Sequence, residues 1–209
     1  MTLRETVRAD HRALVDNQRR YAGRTDDGRL IVDLVRNVGF QQLALHRVAA
    51  AAHRRRRTGI AMILSRLGRH LFGSDLHWTA SIDPGVVIVH GAGLVISGEA
   101  RVGAGCVLSQ QVTLGTSRGV DGRDGAPRLG TGVHVGPGAV IVGPVEIGAD
   151  SKIAPTTLVT FDVPEHCVVS PAPAEIVTRP MVRTTGAVAD TAGHPTEPAH
   201  RRSTEGADR

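Results

Sequence analysis

Residues 129–163 read LGTGVHVGPGAVIVGPVEIGADSKIAPTTLVTFDV. Leu129, Val135, Ile141, Ile147, Ile153 and Val159 recur at every sixth position without a gap, and Val133, Ala139, Val145, Ser151, Thr157 and Val163 stand four places after them. A period of six is neither the 3.6 of a helix nor the 2 of a flat strand. One inward aliphatic and one inward small or β-branched residue in every six describe a prism of short parallel strands, about three hexapeptides to the coil. Each coil then hides its apolar positions by stacking on the next. The period extends upstream through Leu76, Ile82, Ile88 and Leu94, shifts by two residues, and resumes at Ile96, Val102, Leu108 and Leu114. Ala80, Val86, Ala92, Cys106 and Val112 take the small positions there. Composition agrees: 25 glycines and an aromatic share of 2% suit a core of aliphatic residues turned over many tight corners.

Outside the prism the pattern changes. From Thr2 to about Gly73 it is helical, with breaks expected near Gly23 to Gly28, at Gly39 and at Thr58-Gly59. The expected fold is therefore α+β, with a helical domain over 1–73 and a parallel β-helix over 74–180. Gly115 to Pro127, rich in Gly and Asp, breaks the sixes and reads as a loop ejected from a coil. The two-residue shift near Leu94 to Ile96 distorts a corner just after His90, so functional residues are expected around these two irregularities. The tail, 181–209, is Thr-, Ala-, Pro- and charge-rich without periodicity and reads as disordered.

Composition also excludes. The net charge is +5, nearly all from arginine, since Lys152 is the one lysine. The densest basic run, Arg54 to Arg57, has no interleaved aromatics, so it reads as a solvated surface and no nucleic-acid partner is expected. Two cysteines, Cys106 and Cys167, suggest neither a disulfide framework nor a zinc site, and suit a reducing cytoplasm. The N-terminus has no apolar core of a signal peptide, and no stretch reaches the roughly 18 apolar residues of a membrane span.

Three stretches carry a resemblance. Asp75-Leu-His-Trp-Thr-Ala-Ser-Ile82, His90-Gly-Ala-Gly-Leu-Val-Ile-Ser-Gly-Glu99 and Val112-Thr-Leu-Gly115 closely resemble the serine O-acetyltransferases of the hexapeptide acyltransferase superfamily, as does Gly39-Phe-Gln-Gln-Leu-Ala-Leu-His-Arg47. The resemblance runs from about Gly39 to Gly115 and again through the coils to Val177. It implies a left-handed β-helix, a homotrimer with acyl-CoA bound between neighbouring prisms, and a His–Asp dyad. Pairing of trimers through the helical domain is a further option. The left hand opposes the usual right-handed rule for parallel crossovers and rests on the resemblance alone.

In the hexapeptide frame His90 lies two places past Ile88, an outward position, and it matches the family's catalytic histidine. Imidazole, with an ordinary pKa of about 6.5, takes a proton near neutral pH. Asp75, also outward, matches the dyad aspartate, whose carboxylate would orient the imidazole. The resemblance implies direct transfer from acetyl-CoA without a metal, the coenzyme lying against Gly115, Ala139 and Ala154 with Lys152 and Arg179 near its phosphates. Each small residue is equally explained as a tight corner. His134 reads as a surface residue, because the family has no histidine there, and His77 as structural.

The residues that grip serine in the family are replaced. The acid before the catalytic histidine is Val89, and the Arg-His-Pro loop motif aligns with Gly125-Ala126-Pro127; Arg123 or Arg128 could substitute for one lost charge. The chain as given ends Gly-Ala-Asp-Arg209 rather than in isoleucine, so no complex with cysteine synthase is expected. The leading reading is an acetyl-CoA-dependent acetyltransferase acting on a hydroxyl of serine or a related small acceptor. The alternatives are a tailoring acyltransferase with a different amine, alcohol or carrier-bound acceptor, and a catalytically silent β-helix scaffold. Asp75 with His90 argues against the scaffold, and Val89 with Ala126 argues for a changed acceptor.

Overall fold

The computed structural model describes residues 1–117 and 124–173. Four helices come first: α1 (Leu3–Ala22), α2 (Leu30–Arg36), α3 (Val38–Arg54) and α4 (Thr58–Phe72). Helix α1 begins with a capping box, in which Thr2 Oγ1 accepts from the Glu5 N–H and Glu5 accepts from the Thr2 N–H, and it ends at Gly23 in the left-handed region. Helix α3 is capped by Asn37, whose Oδ1 accepts from the Phe40 N–H at 2.8 Å. The break expected at Gly39 therefore falls at Asn37, and Gly39 lies inside α3. Thr58-Gly59 likewise opens α4, and the break is Arg55–Arg57.

The strands follow in coils. The first coil is β1 (Asp75–Leu76), β2 (Ser81–Ile82) and β3 (Val87–Val89); the second is β4 (Val95–Ile96), β5 (Arg101–Val102) and β6 (Val107–Ser109). The third is β7 (Thr113–Gly115), β8 (Arg128–Leu129) and β9 (His134–Val135), and the fourth is β10 (Val140–Val142), β11 (Glu146–Ile147) and β12 (Lys152–Ile153). A fifth runs through β13 (Leu158–Val159) and β14 (Val168–Val169), with Val163 bridged in parallel to Ile147 on the second face. Every strand pair is parallel, and the strands stack into three sheets, β1-β4-β7-β10-β13, β2-β5-β8-β11 and β3-β6-β9-β12-β14. These sheets are the first, second and third faces of the prism.

The six-residue period maps onto burial. Ile96, Val102, Leu108, Leu114, Ile141 and Ile147 are each 1% exposed or less, in one continuous core with Cys106, Val112, Val133 and Ala139 at the small positions. One position departs. Ala92 is exposed, while Leu94 is fully buried and takes the small-residue place before Ile96. The two extra residues thus lie within His90–Gly93, and they push that corner out of the prism.

Helices α1 and α3 dock on the third face beside a buried ion pair, and α4 packs on β1. Arg47, on α3, bonds Asp10, on α1, through Nε at 2.9 Å and Nη2 at 3.1 Å. The same guanidinium donates to the carbonyls of Asp83, at 2.8 Å, and Ile82, while Asp10 Oδ1 accepts from the Gly85 N–H at 2.8 Å. Taking two charges out of water is costly, and these added bonds offset that cost. Beside it Leu14, Phe40 and Val87 form a second apolar cluster, with Val89 and Val107 packed against it. Met1–Pro173 consequently forms one compact unit.

Close approach explains Gly39. A Cβ there would lie 2.0 Å from the carbonyl oxygen of Ile88, on β3, whereas one at Gly59 would meet nothing within 4 Å. Gly39→Val should lower stability by about 1–3 kcal/mol, as overpacking does. Gly59→Ala should leave stability unchanged or raise it, because alanine is the better helix former. Urea unfolding of the two variants checks the pair.

Candidate active site

His90 follows β3 at the edge between the third and first faces. Its φ is +64°, and Gly91 and Gly93 follow at +58° and +70°. A left-handed backbone is uncommon outside glycine, though histidine is among the residues enriched there. The regular left-handed step of this edge is made by Gly93, Gln111, Gly138 and Thr156 in successive coils, so the turns at His90 and Gly91 are the added ones. The corner is nevertheless pinned. Gly93 N–H donates to Gly73 C=O at 2.9 Å, Gln111 N–H to Ala92 C=O at 2.8 Å, and Ala92 N–H to His90 C=O at 2.8 Å. Gln42, on α3 and 3% exposed, presses its amide onto Gly91, where any Cβ would lie 1.8 Å from Oε1. The imidazole of His90 is exposed and makes no hydrogen bond among the described residues.

Asp75 opens β1, and one turn of the coil returns the chain to it. Asp75 pairs in register with Val95, and the Gly73–Gly93 bond places the His90 corner against the segment leading into Asp75. The two candidate dyad residues share one edge, but no hydrogen bond joins them. Asp75 Oδ2 accepts from Arg69 Nη2, on α4, at 2.7 Å, and Oδ1 is buried without a hydrogen-bond partner. One carboxylate oxygen is thus held by a guanidinium, and the other is left as a bare acceptor. Nothing in the sequence pattern singles out Arg69 or Gln42, because both reach the edge from helices whose docking no local period reveals.

The other candidate residues divide between edges. The edge carrying His90 continues upward through Gln110, Pro137 and Thr156, each corner bonded to the next by Gly138 N–H to Gln110 C=O at 3.0 Å and Thr156 N–H to Pro137 C=O at 2.9 Å. Ala154 lies on this column and Lys152 beside it on the third face. Gly115 ends β7 toward the opposite, first–second edge. Arg128 stands on the second face, exposed and 4.0 Å from Glu146, in a hollow of about 860 Å³. The side chains of Ala139 and Ala126 face the core, 0% and 6% exposed, and Ala126 also borders the hollow that holds Arg128. Ala139 sits two places before Ile141, the inward small position of the repeat. Val89 is half-buried and packs into the Leu14–Phe40–Val87 cluster, so the wall beside His90 is apolar. Arg123, Arg179 and the 181–209 tail lie outside the described residues, as do residues 118–123 of the loop from Gly115 to Pro127.

Histidines below the site are structural. His77 stacks on Trp78 at 4.1 Å and lies 2.7 Å from Thr79 Oγ1. His46 is 4% exposed, and its Nε2–H donates to the His77 carbonyl at 3.2 Å, which leaves Nδ1 unprotonated and without a partner. Burial, aided by the neighbouring Arg47 cation, lowers its pKa to about 3. Among the described residues no group of three or more His, Cys, Asp or Glu side chains could hold a metal ion, and no helix is long and apolar enough to cross a membrane.

Comparison with known proteins agrees with this geometry. The model of the bacterial transferase hexapeptide family, described as six repeats, matches residues 126–160. A serine acetyltransferase of Synechococcus elongatus is 39% identical over 69% of this chain and 59% of its own length, so the match spans less than two thirds of that relative. A serine acetyltransferase of Helicobacter pylori is 35% identical over 68% of this chain and 82% of its own. The crystal structure of a serine acetyltransferase from Brucella abortus in complex with coenzyme A superposes with a TM-score of 0.71 at 29% identity, covering 83% of this chain and 66% of that one.

The neutral His46 makes stability depend on pH. Its folded pKa lies below the unfolded value of about 6.5, so the unfolded chain binds a proton that the folded one refuses. Its contribution is complete above pH 6.5 and is lost as pH falls toward 3. Between pH 6.5 and 5 wild type should lose about 1–2 kcal/mol more than His46→Gln, measured by urea unfolding at the two pH values.

Proposed function

The chain belongs to the serine acetyltransferase family, and from that membership we propose that it transfers an acetyl group from acetyl-CoA to the hydroxyl of serine or a related small acceptor, with His90 as the base. The observation that carries the assignment is the position of His90: exposed, on a corner thrown outward by two inserted residues and pinned by Gln42 and Gly93. Acetyl-CoA supplies the activated thioester. The imidazole takes the proton of the acceptor hydroxyl as that oxygen attacks the acetyl carbonyl, and returns it to the leaving sulfur. The bare Oδ1 of Asp75 is the acceptor toward which the far imidazole N–H turns, fixing its tautomer and stabilising the imidazolium. Arg69 holds the other carboxylate oxygen, which keeps Oδ1 aimed.

The cofactor-binding assignment rests on the column above His90, with Ala154 and Lys152. Gly115 and Arg128 belong to the opposite edge and the second face, so they reach the same site only from a neighbouring prism. That placement supports a homotrimer with sites between subunits, and pairing of trimers would use the helices. Two free cysteines, Cys106 buried, suit a cytoplasmic enzyme.

A second reading of the acceptor is favoured by Val89. Free serine brings an ammonium and a carboxylate, and an unpaired buried charge costs several kcal/mol. Val89 is committed to the apolar cluster, and Ala126 to the core, so neither meets a charge. An acceptor whose amine or carboxyl is amidated, esterified or tethered to a carrier fits this wall better than free serine.

Two measurements test these statements. His90→Ala should keep the fold, since its side chain is exposed and outside the core, and lose at least 100-fold in kcat/KM, within the range general bases contribute. Asp75→Asn should be slowed less. Retention of more than a tenth of wild-type kcat/KM by His90→Ala removes the base assignment. A panel of acceptors with acetyl-CoA, read by release of free thiol, should show serine amides or esters ahead of free L-serine; kcat/KM above about 10⁴ M⁻¹s⁻¹ for free L-serine contradicts the second reading.

A further inference from the structure

Helices α3 and α4 enclose a cavity of about 20 Å³ against β1. Its wall is largely apolar, with Leu45, Leu64, Phe72 and Leu76, yet Gln42, His46 and Ser65 also line it. Gln42 and His46 are both buried. Neither polar atom of the Gln42 amide has a hydrogen-bond partner among the described residues, and His46 Nδ1 has none either. A buried amide left unpaired is destabilising, whereas an apolar side chain of the same shape is not. Such a residue, set against the corner that bears His90, calls for a role that offsets its cost.

The amide meets the corner end-on. A Cβ on Gly91 would lie 1.8 Å from Gln42 Oε1, 2.7 Å from Cδ and 2.9 Å from Nε2. The oxygen is therefore the atom nearest the Gly91 Cα–H, a weak hydrogen bond that only glycine admits here. Gly91 has a φ of +58° and directly follows His90 at +64°, so the contact bears on the second of the two added turns. The other end of the amide answers to His46. Since His46 Nε2–H donates to the His77 carbonyl at 3.2 Å, Nδ1 is an acceptor that needs a donor. Gln42 stands four residues before His46 on the same side of α3, and its Nε2–H group supplies one.

Resting on His90 as the base, we infer that Gln42 is a positioning residue for it, its amide oriented by His46 across this cavity. The space fits one water. That water accepts from Gln42 Nε2–H and donates to His46 Nδ1 and to Ser65 Oγ, whose own proton goes to the Leu76 carbonyl at 3.4 Å. Leu76 and His77 directly follow Asp75, so the bonds run from the Asp75 segment through His46, the water and Gln42 to the Gly91 turn. Both dyad segments are thus fixed relative to each other from the buried side. The imidazole itself stays open to acceptor and coenzyme.

The test is Gln42→Met, which keeps the length of the side chain and removes both polar ends. A residue that only filled space would be replaced without loss. The variant should unfold at a higher urea concentration than wild type, because an unpaired buried amide is gone, yet kcat should fall about tenfold, as small misplacements of a reacting group cause. Its KM for acetyl-CoA should stay within about twofold, since no coenzyme contact changes. In Gln42→Met combined with His46→Phe, kcat should fall no further than in the weaker single variant, because the two residues act as one unit. Wild-type kcat in Gln42→Met overturns the inference, and so does a variant that fails to fold, which would make the amide a packing element. Crystal structures of the full chain decide the matter without activity. Wild type should show one water between Gln42 Nε2 and His46 Nδ1, and Gln42→Met should show the His90–Gly91 backbone displaced or in two conformers over an unchanged prism. A cavity without that water, or an unmoved corner, overturns the inference while acetyl transfer by wild type leaves the proposed function standing. A wild type that acetylates no acceptor sinks the proposed function, and the two crystal structures still decide whether Gln42 positions the His90 corner.

Discussion

The backbone contact between α3 and β3 is the constraint on which the rest depends. Gly39 comes so close to the Ile88 carbonyl that no side chain fits between them, and Gln42, one turn on, presses onto Gly91. Helix α3 therefore lies directly against the strand that ends in His90. Its next turns carry His46, bonded to the His77 carbonyl, and Arg47, which meets Asp10 and the carbonyls of the turn after β2. A single helix thus braces both segments that bear the candidate dyad. The exposed imidazole needs that bracing, because its corner bulges from the prism and its left-handed backbone is not of the kind side chains favour.

The prism provides the complementary rigidity. Its coils bury one aliphatic and one small side chain per six residues, and each corner hydrogen-bonds to the corners above and below. An irregularity in such a stack cannot relax along the chain, because register is fixed on all three faces. The two residues inserted at His90–Gly93 have only one way to go, outward, and the insertion thereby turns a structural corner into an exposed one. The apolar cluster under Val89 closes one side of that corner and sets its polarity.

Much of this was legible in the sequence. The unbroken sixes from Leu129 to Val159 define the prism, and the outward placement of His90 and Asp75 follows from the same frame. The errors are instructive. Ala92 fits the period as an inward residue, yet Leu94 takes that place, since a period cannot say where within a corner an insertion lies. Gly39 looks like a helix break but serves close packing, and glycine signals both. Ala139 reads as a small residue against the coenzyme, and its side chain is buried at the inward small position of the repeat. The contacts of Arg69 with Asp75 and of Gln42 with Gly91 join distant segments, which no local period reveals.

The central claim is that chemistry takes place on the edge between the third and first faces, beside His90. A crystal structure of the protein with bound coenzyme A tests it most directly. The account predicts the coenzyme sulfur beside the His90 imidazole, with the pantetheine arm running along Gln110, Pro137 and Ala154. A coenzyme whose sulfur lies along the first–second or second–third edge, away from His90 of the same subunit and of its neighbours, would contradict it.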